Sequence, residues 1–325
     1  MLPSSSMKRW LAVLILCAAP FVEAKPNKGL EAAKVLDQFL AGTMPLNAAI
    51  NRVQFLGEEA FVSSELVLAL RRAQGNARGQ ILEFLVALAS RDGDVEAVFL
   101  KALLSDDTGE VMSGARGLGR IKSSQATRPL IALLESPVLG PRREAARALG
   151  EIGKPAASAP LLKAAKKETD LDLRLLMISA AGRSGDKKQI PSFEALLKDD
   201  SESTRLAGAQ ALCMLAAPRC TEFAGKLLAS KDRNERFQGV MLFEGAPAKI
   251  SSPLLKPLLQ DSDDKLRARA ARILVQGGDP KGLEWLVIES AKARGETRLL
   301  YEDELEKLRI SDEQRQAILK KAGLQ

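Results

Sequence analysis

The chain has 325 residues, 46% of them hydrophobic but only 4% aromatic, and its 48 Lys and Arg outnumber its 41 Asp and Glu. This length holds one to three domains, and heavy use of Ala and Leu favours closely packed helices over a β-sandwich. The absence of histidine excludes Ser-His-Asp and Cys-His catalysis, histidine-ligated zinc and histidine-held haem. Charges of both signs are interspersed without a basic run, which reads as a solvated surface and argues against a nucleic-acid footprint.

The first element in chain order is an address. Lys8 and Arg9 precede an apolar stretch from Trp10 to Val22, and Val22-Glu23-Ala24 fits signal-peptidase cleavage after Ala24. The apolar stretch is shorter than the ~20 residues that span a bilayer, and Pro20 interrupts it. Residues 1–24 are therefore expected to be a signal peptide, the mature chain to lack an integral membrane span, and the protein to be periplasmic or secreted. Cys17 follows Leu16, where a lipobox needs a small residue, so a lipoprotein is not expected.

Residues 25–44 contain one amphipathic helix, "GLEAAKVLDQFLAG", read as an N-terminal cap. From 45 to 297 the pattern repeats. Steps of 31 from Gly150 reach Gly119, Leu88 and Gly57 upstream; after one step of 32 to Gly182, they reach Cys213, Glu244 and Val275 downstream. Each position ends an Ala- or Leu-rich phrase. Leu103-Leu104, Leu133-Leu134, Ala164-Ala165, Leu196-Leu197, Leu227-Leu228 and Leu258-Leu259 keep the same step. Two landmarks sharing one period signal a solenoid. The unit reads as helix, short turn ("GKPAAS" at 153–158), second helix, with Asp groups such as Asp106-Asp107, Asp199-Asp200 and Asp261–Asp264 linking units. Ala145, Ala146, Ala148 and Gly150 are small enough to admit a neighbouring helix. Residues 298–325 form a more polar hairpin, read as the C-terminal cap.

The phrases "PRREAARALGEIG" (141–153), "TRLAGAQALCMLA" (204–216) and "LRARAARILVQGG" (266–278) resemble HEAT repeats, particularly the short, Ala- and Gly-rich type also found in phycobilin lyases. The resemblance covers nearly the whole mature chain and departs most over 45–105, where the Arg and Gly positions are absent and only the period and apolar pattern hold. It implies an all-α, right-handed α-solenoid of about eight 31-residue helix hairpins with terminal capping helices.

Arg142, Arg174, Arg205, Arg236 and Arg267 occupy one position in five successive units. Such a column can bind an anionic polymer; in HEAT arrays it commonly pairs with carboxylates near the turns, and the many Asp residues favour that reading. Lys163, Lys167, Lys198, Lys226 and Lys256 fall on second helices, which the resemblance places on the concave face. They read either as a basic groove for an acidic partner or as a solvated face. Cys213 and Cys220 sit near the end of one helix and the start of the next; a disulfide needs Cα atoms within ~7 Å, and a core Cys213 with a free Cys220 thiol is the other reading. Trp285 reads as packing near the C-terminal cap.

No catalytic, cofactor or metal-ligating motif occurs. The expectation is an exported, non-catalytic scaffold that holds a protein or peptide, without a cofactor. The alternatives are an accessory role in an enzyme or chromophore lyase-like activity and, against the signal peptide, a nucleic-acid-binding solenoid.

Overall fold

Helix starts are written in the Asp-rich linkers. The side chains of Asp92, Asp107, Asp170, Asp232, Asp263 and Asp279 each accept a bond from a backbone N–H in the first turn that follows. An N-terminal turn leaves its first N–H groups unpaired, and a carboxylate there satisfies them and meets the positive end of the helix dipole. Asp199 and Asp200 do not cap; Ser201 does, by accepting from Thr204 N–H.

The computed structural model describes residues 27–324, so the expected signal peptide and Cys17 lie outside the described residues. Among the described residues there are nineteen α-helices, three short 3-10 turns and no strand. The first nine are α1 Lys28–Leu40, α2 Leu46–Leu56, α3 Glu59–Leu70, α4 Gly75–Leu88, α5 Gly93–Ala102, α6 Thr108–Arg120, α7 Thr127–Leu133, α8 Leu139–Ile152 and α9 Ser158–Lys167. The rest are α10 Leu171–Arg183, α11 Ile190–Leu196, α12 Glu202–Met214, α13 Pro218–Leu228, α14 Arg233–Met241, α15 Ala248–Leu255, α16 Asp264–Gln276, α17 Pro280–Lys292, α18 Gly295–Leu308 and α19 Asp312–Lys321. No described helix is long and apolar enough to cross a membrane.

The helices stack as two rows, and the fold is an all-α solenoid. Odd-numbered helices make one row and even-numbered helices the other, with fully buried Phe84, Phe99, Phe193 and Phe243 in the core between them. The tight hairpins close across the Asp linkers, pairing α5 with α6, α9 with α10, and α13 with α14. Glycines make this closeness possible: a Cβ on Gly208 would lie 2.8 Å from Leu196 Cβ, and one on Gly239 2.8 Å from Leu228 Cδ2.

The helix–turn–helix read across Gly153-Lys154-Pro155 is therefore a junction between hairpins. Gly153, at φ 67°, ends α8 in the left-handed conformation that favours glycine, and the chain then passes to the next hairpin.

Within the even row, α6 packs on α8, α8 on α10 and α10 on α12, whereas the odd helices beside them barely touch one another. Small residues set this spacing. A Cβ on Gly119 would sit 3.0 Å from Ala148 Cβ, one on Gly150 3.0 Å from Ala180 Cβ, and one on Gly182 2.8 Å from Ala211 Cβ. A stack whose rows differ in spacing bends toward the closer one, so the even row is the inner row.

Candidate functional site

The rail of small residues stops after α12. At the next junction the position of Gly119, Gly150 and Gly182 is held by Cys213, and the facing alanine position by Leu242. At this junction α12 and α14 make little direct contact. The space between them is an open groove of about 660 Å³ on the inner row, lined by Leu175, Leu206, Phe237 and Met241 with Ser179 and Gln210. Ser179 and Gln210 also line a second, more polar depression of about 650 Å³, which carries the groove on to Arg183 and Gly245.

A disulfide marks the same junction. Cys213 at the end of α12 and Cys220 in α13 are bonded, with Cα atoms 5.0 Å apart and both side chains buried. The bridge ties α12 to the first helix of the following hairpin, at the joint where the inner rail is missing.

The arginine column is a ladder of internal ties. Arg142 Nη1 donates to the carbonyls of Ser136 (3.0 Å) and Pro137, while its Nε donates to Glu168 Oε2 in the next hairpin (2.9 Å). Arg174 reaches Asp199 at 2.8 Å, and Arg236 lies 3.5 Å from Asp261 while binding the carbonyls of Ser230 and Lys231. Arg205 holds only the carbonyls of Asp199 and Asp200 (2.8 and 2.9 Å), because the equivalent position ahead is Ser230. Arg267, at the end of the column, bonds Asp261 carbonyl, Asp264 and the Tyr301 hydroxyl. The ladder is thus interrupted at the joint where the rail ends.

Burial pushes the Glu168 carboxyl up, but Arg142 and the backbone N–H groups of Asp170 and Thr169 outweigh it and hold the pKa below the usual value. The Arg position is also present in the early hairpins. Arg78 donates to Leu70 carbonyl (3.1 Å) and to Glu110 Oε1 (2.6 Å), in the same manner as Arg142. Its phrase, "GNARGQ", lacks the Ala-Ala-x-Ala context that marks the other copies.

Lys163, Lys167, Lys198, Lys226 and Lys256 all belong to the odd row or its ends, and so lie on the row opposite the groove. Lys167 pairs with Glu135 (3.6 Å), Lys226 with Glu222 (3.4 Å), and Lys256 with Asp279 (2.7 Å). Lys163 and Lys198 are exposed. Trp285 meets Tyr301 edge-on with ring centroids 5.4 Å apart, and the buried Glu304 on the same helix as Tyr301 forms an ion pair with Arg272 at 2.6 Å. No cluster with metal-ligand composition occurs among the described residues.

Comparison with known proteins agrees with this architecture. Residues 96–176 match the family of HEAT repeats, so the chain carries HEAT repeats and its fold is a HEAT-like α-solenoid. No curated protein sequence matches. Among solved structures, the complex of CpcE and CpcF of phycocyanin lyase from Nostoc sp. PCC7120 is similar, with a TM-score of 0.51 and 18% identity. That match covers 76% of this chain and 94% of the neighbour's.

Proposed function

We infer that this protein is an exported, non-catalytic scaffold whose inner groove holds a segment of a partner polypeptide. The groove between α12 and α14 carries this reading. It spans three successive hairpins and is lined by half-buried leucine, phenylalanine and methionine side chains. A contiguous, partly exposed apolar patch is a feature of interaction sites, and an open trough suits a chain better than a small ligand, which needs burial of most of its surface. The Lys8-Arg9 pair, the short apolar stretch and Ala24 support export, and a disulfide fits an oxidising compartment. N-terminal sequencing of the protein from an envelope fraction would begin at Lys25 under this reading; retention of Met1 or Met7 would overturn it.

Binding is tested by placing a photo-crosslinker at Leu206, in the groove, and in a second protein at Lys226, on the odd row. A discrete crosslinked polypeptide is expected from the first position and not the second. Equal crosslinking from both would remove the groove from the function.

The likeness to a phycocyanin lyase complex supports a second reading, an accessory role in lyase-type chemistry. That role predicts a bound chromophore, visible as absorbance of the purified protein above 350 nm, well beyond the protein's own bands (roughly 280 nm) set by Trp and Tyr side chains.

A further inference from the structure

Behind the groove wall lies a buried cluster of charge. Tyr301, Glu304 and Leu305 are the buried residues of α18, the helix at which the C-terminal cap begins. Tyr301 and Leu305 dock that helix by burying apolar surface, whereas a carboxylate among them is costly unless it is paired. Glu304, only 2% exposed, meets Arg272 at 2.6 Å and Arg269 at 3.3 Å, both on α16, and accepts from Lys307 at 3.2 Å. Arg272 is itself 5% exposed. From there the two arginines reach the groove. Arg269 sets its guanidinium 5.7 Å from the centroid of the Phe237 ring and its Nη1 3.8 Å from Met241 Sδ. Arg272 donates to Glu244 at 3.2 Å. Phe237 and Met241 line the apolar groove and Glu244 the polar depression, so both arms from Glu304 end on the lining of the site.

On the inner row α14 leans to one side: it barely touches α12, and it packs on α16. Its place across the groove is therefore set from the C-terminal side, where Glu304 orients the arginines that meet it. We propose that Glu304 is a positioning residue for the groove. By fixing Arg269 and Arg272 from behind, it joins the α14 wall to the C-terminal cap, so that a segment seated in the groove and the docking of α18 stabilise each other. The binding half of this proposal rests on the groove being the binding site; the joining of cap and wall does not. Linkage makes the effect run both ways, from cap to groove and from groove to cap. Without the carboxylate, Arg269 and Arg272 are neighbouring like charges in a poorly solvated space. Arg269 then turns toward water and leaves Phe237 without its backing.

The test is hydrogen exchange on the chain from Lys25 onward, as wild type, Glu304→Gln, Leu305→Ala and Arg269→Gln. Glu304→Gln keeps the size of the side chain and removes its charge, whereas Leu305→Ala loosens the same cap helix and leaves the cluster intact. In Glu304→Gln, exchange in α14 should quicken by about tenfold or more, the scale of one lost contact to a buried charge, with α8 and α10 unchanged. Leu305→Ala should quicken α18 and α19 and spare α14. Arg269→Gln cuts the arm to Phe237 and leaves Arg272 to hold Glu304, so it should quicken α14 and spare α18; it decides the matter where Glu304→Gln does not fold. Quickening confined to α18 and α19 in Glu304→Gln, or an α14 unmoved by Arg269→Gln, would overturn the proposal. Dodecapeptides selected on the wild type from a random display library read the binding half. Bound peptides should slow exchange in α18, and should bind Glu304→Gln about tenfold more weakly. Selected peptides indifferent to Glu304→Gln would overturn the coupling to the site. A library that yields no peptide would remove the groove's binding role, while exchange in α14 still decides the role of Glu304.

Discussion

The junction between α10 and α12 and the one between α12 and α14 come from the same repeated phrase and differ, among other positions, at three that pack or pair across the joint. At the first, Gly182 meets Ala211 and Arg174 reaches Asp199, so the helices close on each other. At the second, the corresponding positions are Cys213 and Leu242, Arg205 has Ser230 ahead of it in place of a carboxylate, and a groove lies between the helices. In a solenoid each repeat touches only its neighbours, so a local change in one junction leaves the rest of the stack in place. A binding site can then be made by omitting a packing rule at one step.

The largest expected effect comes from the disulfide, which holds the open joint where the closed one has close helix contact. Cys213→Ala/Cys220→Ala should lower stability by about 2–3 kcal/mol, as for a short closed loop. Hydrogen exchange should then quicken in α12–α14 ahead of α8 and α10. Uniform quickening would mean that the bridge does not serve that joint in particular.

Polar ties also serve beyond the joint. Lys256 and Ser252 donate to Asp279 (2.7 and 2.6 Å) and hold its carboxyl at about 2, while burial opposes them. Asp279→Asn should cost about 2 kcal/mol at neutral pH, as for a hydrogen bond to a charged group. Because the folded pKa is depressed, this stabilisation is complete above the ordinary carboxylate value near 3.8 and is lost as the pH falls through about 2. Denaturant titrations of wild type and variant should converge across that window; a constant gap down to pH 2 would break the assignment.

Glycine substitutions probe the rows directly. Gly182→Ala places a Cβ 2.8 Å from Ala211 Cβ, and should cost about 1–3 kcal/mol as the inner row is forced apart. Gly225, in α13 of the odd row, has nothing within 4 Å of its would-be Cβ. Gly225→Ala should therefore stabilise by about 0.5–1 kcal/mol through helix propensity alone. Melting temperatures that move in the same direction for both would contradict the difference in row spacing.

The repeat was legible because its signals are local. A period of 31 in small and apolar residues needs no knowledge of contacts, and it identified Gly150 as a packing position, which its approach to Ala180 bears out. The Asp linkers could be read as caps for the same reason, since a cap acts within three residues. Arg78 was missed because its role depends on Leu70 carbonyl and Glu110 in the fold, while its flanking residues differ from the later copies. The placing of five lysines on a concave face failed because the face was taken from the order of helices in a unit. Where a unit begins is not written in a periodic sequence.

The amino-acid sequence by itself determined that the chain is helical, that it repeats, and that small residues and arginines recur once per repeat, because each of these follows from helical spacing along one strand of chain. Only the tertiary structure decided which helix pairs with which, which row lies inside, and where the stack opens. Those depend on the distance between two helices, set by side chains about thirty residues apart that meet only when the repeats stack. Leu242 is unremarkable in sequence, yet in the fold it lines the groove.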